Sequence, residues 1–143
     1  MSASSPRSSL GVFALDFDKI GIIVSDDSPK NLAMATNLGL TALATDMEVL
    51  VYFTFDGLTH LMEGEKDLSE IEALLDAGMP NPYDLLTQFV DSGGERVTTV
   101  ACTTTLDMLQ WDQEAMDDEV TTKFAGAATF LEAVDDADQV FTF

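Results

Sequence analysis

The chain has 143 residues, 46% of them hydrophobic, enough for one core without disulfides or metals and too few for two ordinary domains. Its 26 Asp and Glu against 6 Lys and Arg give a net charge of −20. That balance excludes the basic footprint of a nucleic-acid binder and opposes docking on an anionic membrane. Charge this unbalanced usually goes with disorder, but the long apolar runs place the acid on the surface of a folded body. No apolar run approaches the roughly 18 residues needed to span a bilayer. The opening MSASSPRSSL carries Arg7, but Asp16 and Asp18 interrupt any signal-like stretch, so a cytoplasmic location is expected. In dilute buffer such a charge repels itself. At molar salt the screening length falls to about 3 Å, and the composition therefore points to the cytosol of a salt-accumulating halophile.

Residues 1–18 read as a Ser-rich flexible tail and lead-in, and residues 19–143 as one domain. Lys19–Ser25 (KIGIIVS) is a continuous apolar run, the pattern of a strand buried on both faces. Ser28-Pro29 then supplies an N-cap with proline at the first helical position, opening a helix to about Thr45. Glu48–Phe53 (EVLVYF) is a second buried strand, and Gly57–Glu63 a short turn or helix. Asp67–Ala77 is amphipathic, with Leu68, Ile71, Leu74 and Leu75 on one face, Asp67 and Glu70 at capping-box spacing, and Gly78 as its stop. A further helix starts at Asn81-Pro82, carries Leu85, Leu86, Phe89 and Val90, and stops at Gly93-Gly94. Arg96–Ala101 is the third strand and Thr104–Gln110 is helical. After an acidic stretch at 112–123, Ala125–Val134 is a helix and Gln139–Phe143 a closing strand. Strands alternating with helices imply a three-layer α/β/α sandwich with a mainly parallel sheet.

The first helix carries no charge from Asn31 to Thr45. An outer helix normally shows water a polar face. Two covers are available: another subunit, or the N-terminal tail. Phe124–Leu131 (FAGAATFL) is similarly uncharged and offers a second contact face.

In open parallel sheets ligands bind beyond the carboxyl ends of the strands. Those ends carry Ser25 and Asp26, then Thr54 and Gly57, then Cys102, Thr103 and Thr104. Cys102, the one cysteine, stands just before a helix, where free amides and the helix dipole favour a thiolate and make it nucleophilic. The plainer reading is a small buried hydrophobe. A lone cysteine forms no intrachain disulfide, so a redox cycle would need an outside thiol. His60, the one histidine, follows the second strand and is either a base near Cys102 or a turn residue. The acidic run Asp112, Glu114, Asp117, Asp118 and Glu119 lacks the ligand spacing and glycine of a calcium loop, so no metal site is expected. No Walker loop, GxGxxG or CxxC occurs, and no cofactor is expected.

Three stretches together resemble the DsrE/DsrF-like family, in particular its branch labelled peroxiredoxin. They are KIGIIVSDDSPKNLAMATNLGLTALATDMEV, then VYFTFDGLTHL, then the C-terminal set MPNPYDLLTQF, VACTTTLDML and FAGAATFLEAVDDADQVFTF. The resemblance implies a sheet of about five strands and assembly into a homo-oligomer, a trimer or hexamer. It also implies a sulfur-relay role, in which Cys102 carries sulfur as a persulfide between donor and acceptor proteins. Where relay subunits often place basic residues after the cysteine, this chain has CTTTLDMLQWDQE. Peroxidase chemistry wants a nearby cation and a resolving thiol, and neither is present. The competing expectation is a non-catalytic oligomeric binding or regulatory module, with Ser25, Asp26, Thr54, Gly57 and Thr103 around a small ligand and Cys102 as packing.

Overall fold

The computed structural model describes residues 17–143. The tail expected over 1–18 lies outside the described residues up to position 16. Phe17 and Asp18 are not loose: Phe17 packs on the core, and the Asp18 amide donates to Asp138 Oδ2 at 2.7 Å.

Five strands form one sheet in the order β4-β3-β2-β1-β5, every neighbouring pair parallel. They are β1 (Lys19–Val24), β2 (Glu48–Phe53), β3 (Val97–Cys102), β4 (Lys123–Ala125) and β5 (Gln139–Thr142). The α/β sandwich expected from the alternation of patterns is the fold observed. The fifth strand, β4, is absent from the sequence pattern because three residues are too few to show a period. It also takes Ala125, which was expected in the last helix.

Helix α1 (Pro29–Ala44) begins as expected, with the Ser28 side chain accepting from the Lys30 amide. Helix α3 (Pro82–Gly93) is capped by Asn81, which accepts from the Tyr83 amide, and ends at Gly94 with φ +53°. Between them the expected Asp67–Ala77 helix is replaced by a 3₁₀ turn (Ser69–Ile71) and one short turn of α-helix, α2 (Glu72–Asp76). The capping box is only half made. Asp67 accepts from the Ser69 amide, but Glu70 reaches away to the Ser28 hydroxyl at 2.6 Å. Of the four apolar residues expected on one face only Ile71 is fully buried, and Leu74 is 45% exposed. Helices α4 (Thr103–Leu109) and α5 (Ala127–Ala133) complete the set.

Helices α1 and α3 cover one face of the sheet. Leu32, Ala35 and Leu43 of α1 and Leu86 and Phe89 of α3 join Ile22, Val51 and Phe53 in the main core. The two helices approach closely at Gly39, where an added Cβ would stand 2.6 Å from the Phe89 ring. A neighbouring helix of the same chain therefore covers one flank of the uncharged stretch of α1, while Met34, Asn37, Thr41 and Ala44 on its outer side are exposed. The opposite face carries a smaller cluster of Leu50, Tyr52, Val100, Cys102, Ala125 and Phe130, closed by the seven residues of α5.

Candidate functional site around Cys102

The site lies on this second face. Parallel pairing sets Tyr52 beside Val100 and Cys102 beside Ala125, and strand alternation turns Tyr52 and Cys102 to the same side. Cys102 is the last residue of β3 and the N-cap of α4, the junction expected from sequence. Its side chain makes no capping hydrogen bond, however. The polar partners are hydroxyls. Tyr52 Oη donates to Cys102 Sγ at 3.0 Å, and Thr105 Oγ1 donates to it at 3.5 Å. Thr105 Oγ1 also accepts from the Phe55 amide and lies 3.2 Å from Thr54 Oγ1. With Thr105 donating to sulfur, its lone pairs are left for Phe55 and Thr54, so the whole chain of donors points at Cys102. Phe55 sits at φ +48°, uncommon for a bulky residue, and its ring is 60% exposed.

These bonds decide the ionisation of the sulfur. Burial pushes the Cys102 thiol up, but the Tyr52 hydroxyl, the hydroxyl and amide of Thr105 and the Thr54 hydroxyl together outweigh it and hold the thiol at about 7, against 9.0 for an ordinary cysteine. The same contact raises the Tyr52 phenol far above its usual range, after the larger effect of burial. Cys102 is only 3% exposed, and Phe130 stacks on Tyr52 with ring centroids 4.7 Å apart.

The other residues singled out from sequence fall into separate places. His60 is 1% exposed, and both ring nitrogens are engaged. Nε2 lies 2.9 Å from the Asp26 carbonyl, which can only accept, so this nitrogen carries the proton and Nδ1 accepts from the Tyr83 hydroxyl at 2.8 Å. Burial lowers its pKa, and His60 is a neutral tie between the β1–α1 loop and α3. It makes no hydrogen bond to Cys102. Ser25 bonds to the Phe143 carbonyl through both amide and hydroxyl. Gly57 is pressed against the backbone at Val24. Thr103 is half-buried and Thr104 exposed, their hydroxyls flanking Gly126. The structure thus brings Thr54 to Cys102 and leaves Ser25, Asp26 and His60 in other contacts. Tyr52 was missed. The available signal was a phenol in an otherwise aliphatic buried strand, which must find a hydrogen-bond partner.

A model of the DsrE/DsrF-like family matches residues 18–143. The chain belongs to the DsrE/DsrF-like family. No curated protein matches it in sequence. Among solved structures it is similar to MTH1491 of Methanobacterium thermoautotrophicum, a protein of unknown function. The TM-score is 0.61 at 13% identity, over 87% of this chain and 98% of that one. At that identity the likeness is one of fold, and the chemistry of this DsrE/DsrF-like chain has to be argued from its own residues. Among the described residues no helix is long and apolar enough to cross a membrane.

Proposed function

We propose that this DsrE/DsrF-like chain is a single-cysteine sulfur carrier. The observation that carries the reading is the set of hydroxyl donors converging on Cys102, which keeps about half of the thiol ionised near neutral pH. A thiolate at that poise is suited to exchange. Its sulfur attacks the outer sulfur of a donor persulfide, a new S–S bond forms as the donor's S–S bond breaks, and the donor leaves as a thiolate. An acceptor thiolate then takes the outer sulfur in the same way and returns Cys102 to its starting state. No electrons are gained or lost overall, so neither a second cysteine nor a cofactor is required.

A donor has to reach a sulfur that is 3% exposed. The cover is small: Phe130 on the short α5, with the exposed Phe55 ring beside the Thr105 bond. On this reading a partner docks over Phe55 and displaces Phe130. The same burial favours the second reading, a binding or regulatory module in which Cys102 only packs. Incubation with a persulfide donor followed by intact mass measurement separates them. The expected result is the gain of one sulfur atom by the wild type and none by Cys102→Ser. No gain in the wild type, or equal gain in both, refutes the carrier.

The proposal includes a setting, a salt-rich cytoplasm, and self-association through the α5 side, where Leu131 is 68% and Val140 39% exposed. With a net charge of −20, the thermal midpoint is expected to rise as KCl goes from 0.1 M to molar levels, as self-repulsion is screened. Calorimetry at stepped KCl measures this, and a midpoint that falls with salt contradicts the halophilic setting.

A further inference from the structure

At the opposite end of the sheet from Cys102 lies a cavity of about 120 Å³ that the sulfur chemistry does not use. The amino ends of four strands form it. Lys19 begins β1, Glu48 begins β2, Arg96 immediately precedes β3 and Lys123 begins β4. Leu50 and Val100 give it an apolar floor, while Thr98 and Thr129, from β3 and α5, bring hydroxyls to its wall.

The charge here is unlike that of the rest of the molecule. Three of the chain's six Lys and Arg residues line this one cavity, in a sequence with 26 carboxylates. Cations that scarce would be expected to sit against acids. Lys19 does, 2.9 Å from Asp136. Arg96 and Lys123 do not: among the described residues neither has a carboxylate within 4 Å, although Glu48 and Glu95 line the same cavity. Arg96 spends one nitrogen on the Leu43 carbonyl at 3.1 Å, which fixes the guanidinium and leaves its other donors free. The Lys123 side chain makes no hydrogen bond among the described residues, and the residue is exposed. Two cations that form no ion pair, two hydroxyls and an apolar floor are the elements of a small-anion site.

We propose that this cavity binds a small inorganic oxyanion of the size of phosphate or sulfate. Size sets the class. An apolar cavity of about 150 Å³ admits a six-carbon ring, so this smaller one suits a ligand of roughly five heavy atoms. Arg96 provides the directional fork and Lys123 the mobile charge, with Thr98 and Thr129 donating their hydroxyl protons to the remaining oxygens. Glu48 and Glu95 limit the net positive charge and disfavour a larger polyanion.

The test is an amide NMR titration of the intact protein with sodium phosphate and, separately, sodium sulfate, with ionic strength held constant by KCl. Saturable shifts are expected at Thr98, Lys123 and Thr129. Lys123→Gln is expected to weaken the affinity by roughly tenfold or more, since it removes a charge-assisted bond. Lys30→Gln, on the exposed side of α1, is expected to leave it unchanged. Lys123 is exposed, and an unaltered thermal midpoint for Lys123→Gln checks that the fold survives. Shifts that do not saturate, that KCl alone reproduces, or that persist undiminished in Lys123→Gln overturn the proposal. Cys102 has no part in the titration, so the outcome is independent of the carrier reading.

Discussion

Gly57→Ala is expected to destabilise the fold by about 3 kcal/mol or more, lowering the thermal midpoint by roughly 10 °C. An alanine Cβ at this position would stand 2.1 Å from the Val24 carbonyl oxygen and 2.7 Å from its carbon. Both are backbone atoms, which have no rotamer to move into. The Val24 carbonyl is held where it is by the Thr54 amide, which donates to it at 3.0 Å, and the Gly57 amide closes the turn onto the Thr54 carbonyl at 2.9 Å. Relieving the clash means breaking one of these or shifting the end of β1, a strand paired on both sides. The loss is large against the 5–15 kcal/mol by which domains are usually stable. Thermal or urea unfolding of the variant measures it. A loss below about 1 kcal/mol would mean that the loop can swing away from β1, and that space exists there for a ligand after all.

Tyr52→Phe is expected to move the ionisation of Cys102 upward from about 7 to well above 8, because the strongest hydroxyl donor to the sulfur is removed while burial, which pushes the thiol up, remains. The ring stays, so its stack on Phe130 stays. The pH dependence of alkylation reads the change. In the wild type the rate should rise through a midpoint near 7 and level off; in the variant the midpoint moves up by more than one unit. At pH 7 the variant is slower by about threefold to tenfold, the fall in thiolate being partly offset by the greater nucleophilicity of a more basic sulfur. Above pH 9 the order reverses. Stability carries the same sign. A thiol ionising lower in the folded than in the unfolded chain adds stability that is complete above about 9 and is lost as pH falls through 7, and Tyr52→Phe should flatten that dependence. Superimposable rate profiles for the two proteins would show that Tyr52 does not tune the sulfur.

The long apolar segments were legible in the sequence. KIGIIV and EVLVYF have no other comfortable home than a sheet covered on both faces, and the Ser28-Pro29 and Asn81-Pro82 pairs mark their helix starts within a residue. What escaped depends on pairing across the chain. β4 is recognisable only through its bonds to β3. Glu70 was read as a local cap because the distant Ser28 that captures it cannot be seen from position 67. His60 and Cys102 share an edge on paper, but His60 turns to Asp26 and Tyr83 instead. The position of Cys102 was readable and its activation only in part. The helix start and its threonine hydroxyls were the expected agents, and Thr105 does act through both its amide and its hydroxyl, but the larger effect comes from Tyr52 on the adjacent strand.

The two outermost strands of the sheet have three and four residues. A border that short presents little unpaired backbone to a neighbouring molecule, and the net charge of −20 sets copies of the chain against one another. Ribbon-like extension from chain to chain is therefore closed off at both margins. Copies of this protein that meet are expected to do so through side chains, which leaves the backbone ladder a private feature of each molecule and limits the risk of fibril formation when the chain is crowded.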